Sequence, residues 1–180
     1  ICIILAQAGF YVPCSSFVYC PYKSIFSRIL GNDNLFKGLS TFAVEMSELR
    51  VILKMADEYS LILGDELASG TENESALSIF AASIVKLTEK KCSYIFATHF
   101  HEITNFEEIQ NLAGLSFKHL SVLYDREKDC LIYDRKIKDG SGPKTYGLEV
   151  LCSLAFDTEF EDLTFEFRNK YFPETKGELS

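Results

Sequence analysis

The chain reads as an α/β domain built on a parallel sheet, and three observations carry that reading. The apolar run Tyr59-Ser-Leu-Ile-Leu-Gly64 ends abruptly in two adjacent acids, Asp65 and Glu66. A second apolar run, Tyr94-Ile-Phe-Ala97, ends in Thr98-His99. Between them Ala76, Phe80, Ile84 and Leu87 fall at helical spacing. Buried strand, helix, buried strand is a βαβ unit, and such units make parallel sheets. The unit brings the carboxyl ends of its strands to one edge, where α/β sheets keep their ligands.

The remaining elements follow in order. Residues 1–8 are expected to be helical and to end at Gly9. Tyr11–Cys14 reads as a turn, followed by strands at Ser16–Cys20 and Ser24–Leu30. A polar loop over 31–38 leads into a helix from about Thr41 to Ala56, capped by Ser40 or Thr41. Its apolar face holds Phe42, Met46, Leu49, Leu53 and Ala56. After the strand at Leu61–Leu63, Thr71-Glu-Asn-Glu74 reads as a capping box for the helix Asn73–Glu89. A strand over Cys92–Ala97 and a short helix near Glu102–Phe106 come next. Leu115–Leu123 and Cys130–Ile137 read as a hairpin turning at 124–129. Lys138–Lys144 reads as a loop, and helices from about Tyr146 and Thr158 close the chain.

Composition narrows the function classes. The 180 residues are 47% hydrophobic and 24% charged, enough for one domain with a sizeable core. No stretch is a linker by composition, and no internal repeat or low-complexity tract occurs. A net charge of −8 argues against this stretch as a main DNA-contacting surface, which would be basic. Action on DNA through a neighbouring domain remains open. The six cysteines, at 2, 14, 20, 92, 130 and 152, form no C-x-x-C pair, against a zinc ribbon or thioredoxin-type motif. Cys2, Cys20, Cys92 and Cys130 sit in apolar or strand-like runs and are expected as small buried hydrophobes, as in a reducing intracellular compartment. The opening Ile1–Gly9 has no Met and no basic flank, and is too short to span a membrane. It is expected to be the back half of a helix that starts upstream, so that the chain is a fragment.

A strand tipped with Asp-Glu is one way for a nucleotide-hydrolysing sheet to hold Mg2+ and a general base. On that reading Asp65 holds Mg2+ through water and Glu66 polarises the attacking water. Acidic strand tips are equally common as plain solvated ends, and only the apolar run before this one favours chemistry. At the neighbouring tip, His99 could donate to a γ-phosphate oxygen and sense its loss, although a lone histidine is more often a surface or packing residue. His99-x-His101-Glu102 is also a short metal-ligand pattern; no second ligand cluster accompanies it, which disfavours metal. Asn34–Thr41 runs a Gly38-containing loop into a helix N-terminus, where free N–H groups favour an anion. On spacing alone an ordinary capped helix is the better reading there. No G-x-x-x-x-G-K-[ST] occurs, although a hydrolase built on Asp65 and Glu66 needs such a loop for its phosphates.

Together these residues resemble the C-terminal ATPase domain of the MutS family of DNA mismatch-repair proteins, within the wider ABC-type ATPases. The match runs through Gly9-Phe-Tyr-Val-Pro13, then Ile25–Arg28 with Asp33-Asn-Leu35 and Gly38-x-Ser-Thr-Phe-x-Val-Glu-Met46. It continues through Leu63-Gly-Asp-Glu-Leu-Ala-Ser-Gly-Thr71, Phe96-Ala-Thr-His-Phe-His-Glu102 and Lys144-Thr-Tyr-Gly-Leu148, and weakens after about Ser153. The Ser-Thr-Phe-x-Val-Glu-Met and Asp-Glu…Gly-Thr strings are specific, and their joint occurrence with Ala-Thr-His is not a coincidence of composition.

The resemblance implies a P-loop NTPase-like, ABC-type sheet flanked by helices, with a β-hairpin and C-terminal helices. It implies an N-terminally truncated ATPase domain over 1–153 and a helical extension over 154–180, with ATP and Mg2+ as cofactors. Asp65 and Glu66 resemble the Walker B pair, His99 the switch histidine, and Gly70-Thr71 the loop that faces the partner subunit. Ser40, between Gly38 and Thr41, resembles the signature serine that reaches the γ-phosphate of ATP on the other subunit. Such proteins act as homo- or heterodimers with composite sites. They couple ATP state to mismatched DNA held by other domains of the parent, inside the cell and away from any membrane. Tyr146-Gly147 opens a segment resembling the dimerisation helices. The chain departs from the family in several ways, among them the absence of the mismatch-binding, connector and clamp domains. The phosphate loop falls before Ile1, Ser69 replaces a residue that is usually Arg or similar, and the acidic residues after Phe156 lack the family pattern. Two other readings compete: a catalytically inactive fragment or dimerisation module, and a chromosome-maintenance or transporter ABC head. Retention of Asp65, Glu66, His99 and Ser40 speaks against the first, and Ser-Thr-Phe-x-Val-Glu-Met against the second.

Overall fold

Three parallel strands centre the first part of the chain. They are β1 (Ser24–Arg28), β2 (Ser60–Asp65) and β3 (Ser93–Ala97), side by side in that order. Phe26, Ile62 and Tyr94 share one row of the sheet, and Arg28, Gly64 and Phe96 another. Parallel neighbours need long crossovers. Helix α1 (Cys2–Gln7) precedes the sheet, α2 (Thr41–Met55) connects β1 to β2, and α3 (Asn73–Glu89) connects β2 to β3. The description comes from a computed structural model and covers residues 1–28, 41–125, 130–142, 147–154 and 156–172. The chain divides into two units, residues 1–113 and 114–180.

Alternation along the strands decides what lies under the helices. Ile62 is buried with Ile52 and Ala56 from α2 and its end and with Leu87 from α3, and Phe26, Leu53, Cys92, Tyr94 and Phe96 pack around them. The opposite face carries buried Leu61 but exposed Ile25 and Ile95, so the apolar runs are not covered throughout as their composition predicts. On α3 the buried residues are Ala76, Phe80, Ser83, Ile84 and Leu87, which includes every apolar position read from the sequence. On α2 the buried stripe is Glu45, Leu49, Ile52 and Ala56; Ile52 takes the place that the sequence assigns to Leu53. Both spacings are helical, and the sheet selects the one that faces it.

Local chemistry sets the ends of these elements. Gly9, at φ +80°, follows α1; its N–H donates to Ala6 O and that of Phe10 to Leu5 O, a Schellman closure. The same closure ends α3 through Lys91, at φ +58°, with Cys92 N–H donating to Leu87 O. The Lys90 ammonium donates to Ala56 O at 3.0 Å, just past the last turn of α2, where a cation is favoured. Between α2 and β2 the Ser60 hydroxyl donates to Asp57 Oδ1 and accepts from Asp57 N–H. That hydroxyl, then the Tyr59 N–H, holds the Asp57 carboxyl below the usual carboxylate range.

Several expectations are corrected. Residues 16–20 form no strand: Phe17 and Tyr19 stack at 5.2 Å, and among the described residues no strand pairs with this stretch. Cys20 is therefore exposed, as is Cys14, while Cys2 and Cys92 are only partly buried; the Cys130 side chain lies outside the described residues. Partial burial still raises the Cys92 thiol above its usual range. The short helix after β3 is a 3-10 turn, His101–Asn105, continued by α4 (Glu107–Gln110).

In the second unit β4 (Lys118–Asp125) and β5 (Cys130–Asp139) pair antiparallel. β5 extends into the stretch read as a loop, because Lys118 and Asp139 are register partners and also form an ion pair. The register shifts between Leu120 and Val122, opposite Arg135 at φ +55°, the mark of a bulge. Helix α5 (Gly147–Ser153) packs on β5 and on α6 (Thr158–Tyr171), which is capped by Asp157 accepting from Phe160 N–H at 2.9 Å. Among the described residues no helix is long and apolar enough to cross a membrane. Since Leu87 is fully buried at the centre of the first unit, Leu87→Ala is expected to cost about 2–5 kcal/mol of stability, read by urea unfolding.

Candidate functional site

The site begins with one backbone register. Asp65 on β2 pairs with Ala97 on β3, the last residue of each strand. The Glu66 N–H then donates to Ala97 O at 2.9 Å. This places the residues after each strand beside one another, and His99 Nδ1 lies 3.7 Å from Glu66 Oε1. That separation is longer than a hydrogen bond. Both side chains are about half exposed, at 58% for His99 and 49% for Glu66, so water and salt screen the pair and it contributes little to stability. Asp65, Glu66 and His99 thus meet at one edge, open to a ligand from solvent.

The chain must turn sharply to leave that edge. Glu66 has φ +48° and Ala68 φ +66°, both left-handed and both without the freedom of glycine. Ser69 N–H donates to Glu66 O at 3.2 Å and closes the turn. Leu67 and Ala68 are buried while Glu66 stays out. After β3, Thr98 Oγ1 accepts from Phe100 N–H at 3.1 Å and redirects the backbone. Phe100 is buried, 6.1 Å from the Phe80 ring, and the His99 ring lies 4.6 Å from Phe100. His99 therefore rests on an aromatic support while more than half of its side chain stays exposed.

The other residues singled out in the sequence fall as follows. Gly38 and Ser40 lie outside the described residues, and Thr41 is the first residue of α2. Gly70 packs against the first turn of α2; a Cβ there would stand 3.3 Å from Phe42 Cβ. Thr71 does not cap α3. Glu72 is the N-cap, one residue later than the predicted box, and its carboxylate accepts from the Thr71 hydroxyl at 2.5 Å and from the Ser75 hydroxyl. Those hydroxyls, Ser75 first, hold the Glu72 carboxyl below its usual range. His101 and Glu102 belong to the 3-10 turn, and among the described residues no three His, Cys, Asp or Glu converge as a metal site.

Two residues here stand inside the family strings but were given no role by them. Glu45 is buried on α2, and its Oε1 accepts from Ala68 N–H at 2.7 Å. Arg28, at the end of β1, lies beside it, with Nε 3.7 Å from Glu45 Oε1 and 3.2 Å from Glu48 Oε2. The signal was present in the sequence: position 45 falls within the apolar stripe 45, 49, 52, 56, where a charged residue needs a partner.

A parallel sheet with turns carrying an acid pair and a histidine at the carboxyl ends of adjacent strands has the layout of α/β domains, whose ligands generally sit at that edge. Residues 1–160 match the family model MutS domain V. A mutS homolog of Acanthamoeba polyphaga mimivirus is 47% identical over 163 residues, 89% of this chain and 14% of that protein. The mitochondrial DNA mismatch repair protein mutS homolog of Sarcophyton glaucum is 41% identical over 180 residues, 99% of this chain and 18% of its own. DNA mismatch repair protein MutS of Clostridium beijerinckii is 41% identical over 150 residues, 82% and 16% of the two chains. The chain belongs to the MutS family. It spans less than a fifth of the length of these relatives.

Gly64 holds the edge together by what it lacks. A Cβ at this position would stand 2.1 Å from Phe96 Cδ1, its register partner across the sheet. The Phe96 ring is in turn set edge-on to Phe80 at 5.6 Å and tilted on Tyr94 at 5.9 Å. Gly64→Ala is expected to destabilise the domain by about 1–3 kcal/mol through forced movement of that ring, measured by denaturant unfolding.

Proposed function

We propose that this chain is the ATP-binding and hydrolysing domain of a MutS-type mismatch-repair protein. In the full-length dimer it would couple ATP state to the grip of other domains on mismatched DNA. The observation that carries the reading is the meeting of Asp65, Glu66 and His99 at one solvent-facing strand edge, with Glu66 and His99 3.7 Å apart. Mg2+ commonly takes one or two carboxylates and completes its shell with water and substrate phosphates. A single strand-end aspartate beside an accessible glutamate fits that donor set better than a closed protein cage. Bound there, Mg2+ supplies charge neutralisation at the phosphates.

Within this reading Asp65 holds the ion through water. Glu66 orients and polarises the attacking water, and His99 contacts the terminal phosphate. Ser40, with Gly38 and Thr41, serves ATP bound to the other subunit, and Gly70-Thr71 face that subunit. We divide the chain into the ATPase domain, 1–153, and a helical extension, 154–180. The exposed stripe Phe160, Leu163, Phe167 and Tyr171 on α6 supports a role in association for that extension. Relatives named from a virus, a mitochondrion and bacteria support action within a DNA-bearing compartment.

In the full-length gene product Glu66→Gln is expected to slow ATP turnover by about 10²–10⁴-fold while nucleotide binding persists. Unchanged turnover would remove Glu66 as the base. Ser40→Ala homodimers are expected to lose hydrolysis, and mixing with wild-type subunits to restore it at the site whose serine the partner supplies. A fully active Ser40→Ala homodimer would end the composite-site reading.

A further inference from the structure

We propose that Glu45 is a positioning residue that holds the turn after β2 in its left-handed conformation and so keeps Glu66 facing His99. The proposal rests on the nucleotide-hydrolysing reading above and adds a residue to it. The turn contains two left-handed residues that are not glycine, Glu66 at φ +48° and Ala68 at φ +66°. Such backbone persists only where its surroundings over-determine it. The Ser69 N–H closes the turn locally on Glu66 O, and each left-handed residue's own N–H is tied outside the turn. The Glu66 N–H is held by Ala97 O at 2.9 Å, and the Ala68 N–H by Glu45 Oε1 at 2.7 Å. The first tie belongs to the sheet. The second crosses to α2, made by a side chain 23 residues away in sequence.

The environment of Glu45 fits a tether. Its exposure is 3% and Ala68 has none, so the bond is shielded from competing water. Arg28 balances the buried carboxylate from 3.7 Å and is itself 3.2 Å from Glu48, which keeps a negative partner near the guanidinium whatever stands at position 45. Packing of Gly70 on Phe42 fastens the far end of the same turn to the first turn of α2. Without the Glu45 bond, Ala68 is free to return to an ordinary negative φ. That rotation redirects the chain on either side of it and withdraws Glu66 from the edge.

The role requires reach, not charge, and two conservative variants separate these. Gln keeps an acceptor oxygen at the same distance but loses the charge. Asp keeps the charge but is one methylene too short for Ala68 N–H. Steady-state ATP hydrolysis would be measured on the full-length gene product as wild type, Glu45→Gln, Glu45→Asp and Glu66→Gln. The proposal expects Glu45→Asp to lower kcat at least tenfold with KM within threefold, and Glu45→Gln to stay within threefold of wild type in both. Glu45→Asp at wild-type kcat, or Glu45→Gln falling as far as Glu45→Asp, overturns it. If Glu66→Gln is strongly impaired while Glu45→Asp is not, the tether alone fails. If wild type shows no turnover, or Glu66→Gln matches it, the hydrolytic reading fails and the tether falls with it.

Discussion

Alignment of Asp65 with Ala97 is the constraint on which the rest of this edge depends. Parallel pairing in that register ends two strands level with one another, and Glu66 N–H adds one more bond to Ala97 O before the chains diverge. A shift by one residue would turn Asp65 to the other face and separate Glu66 from His99, because side-chain direction alternates along a strand. The register is defended by packing. Ile62 and Tyr94 share a row under α2 and α3, and only glycine at position 64 admits the Phe96 ring across the pair. The position of this edge is therefore a consequence of the core beneath it.

Attraction between the edge groups themselves has little part in this. Glu66 and His99 are half exposed and 3.7 Å apart, and an exposed pair at that separation is worth about 1 kcal/mol or less. Backbone ties and buried side chains set their positions instead: Ala97 O, Glu45, Leu67 and Phe100. Rigid support under accessible polar groups is what a site needs if it is to meet charge brought by a ligand without rearranging. The left-handed turn at Glu66 and Ala68 is the least relaxed backbone near the edge, and it sets where Glu66 leaves the strand.

Much of this organisation is visible in the residue order. The apolar runs ending in Asp65-Glu66 and Thr98-His99 locate two strands and their loops, and the stripe Ala76, Phe80, Ile84, Leu87 locates the helix between them. Adjacent elements with strong periodicity can be read locally. Ser16–Cys20 could not, because its run of apolar and aromatic residues suits a strand but among the described residues no strand pairs with it. Nor could the start of α3, where Glu72 gathers two hydroxyls and displaces Thr71 from the cap.

Sequence alone determined the chemical inventory: an acid pair and a histidine at strand tips, and family motifs in their order. These are properties of residue type and spacing, which need no third dimension. Tertiary structure decided which groups meet. It set Ile52 rather than Leu53 against the sheet and brought Glu45 to an amide 23 residues further on. It also left Ile25 and Ile95 exposed on the face away from α2 and α3. The reason is that a helix offers several apolar faces and a carboxylate several partners of nearly equal local merit. Only the simultaneous packing of two helices on one registered sheet selects among them.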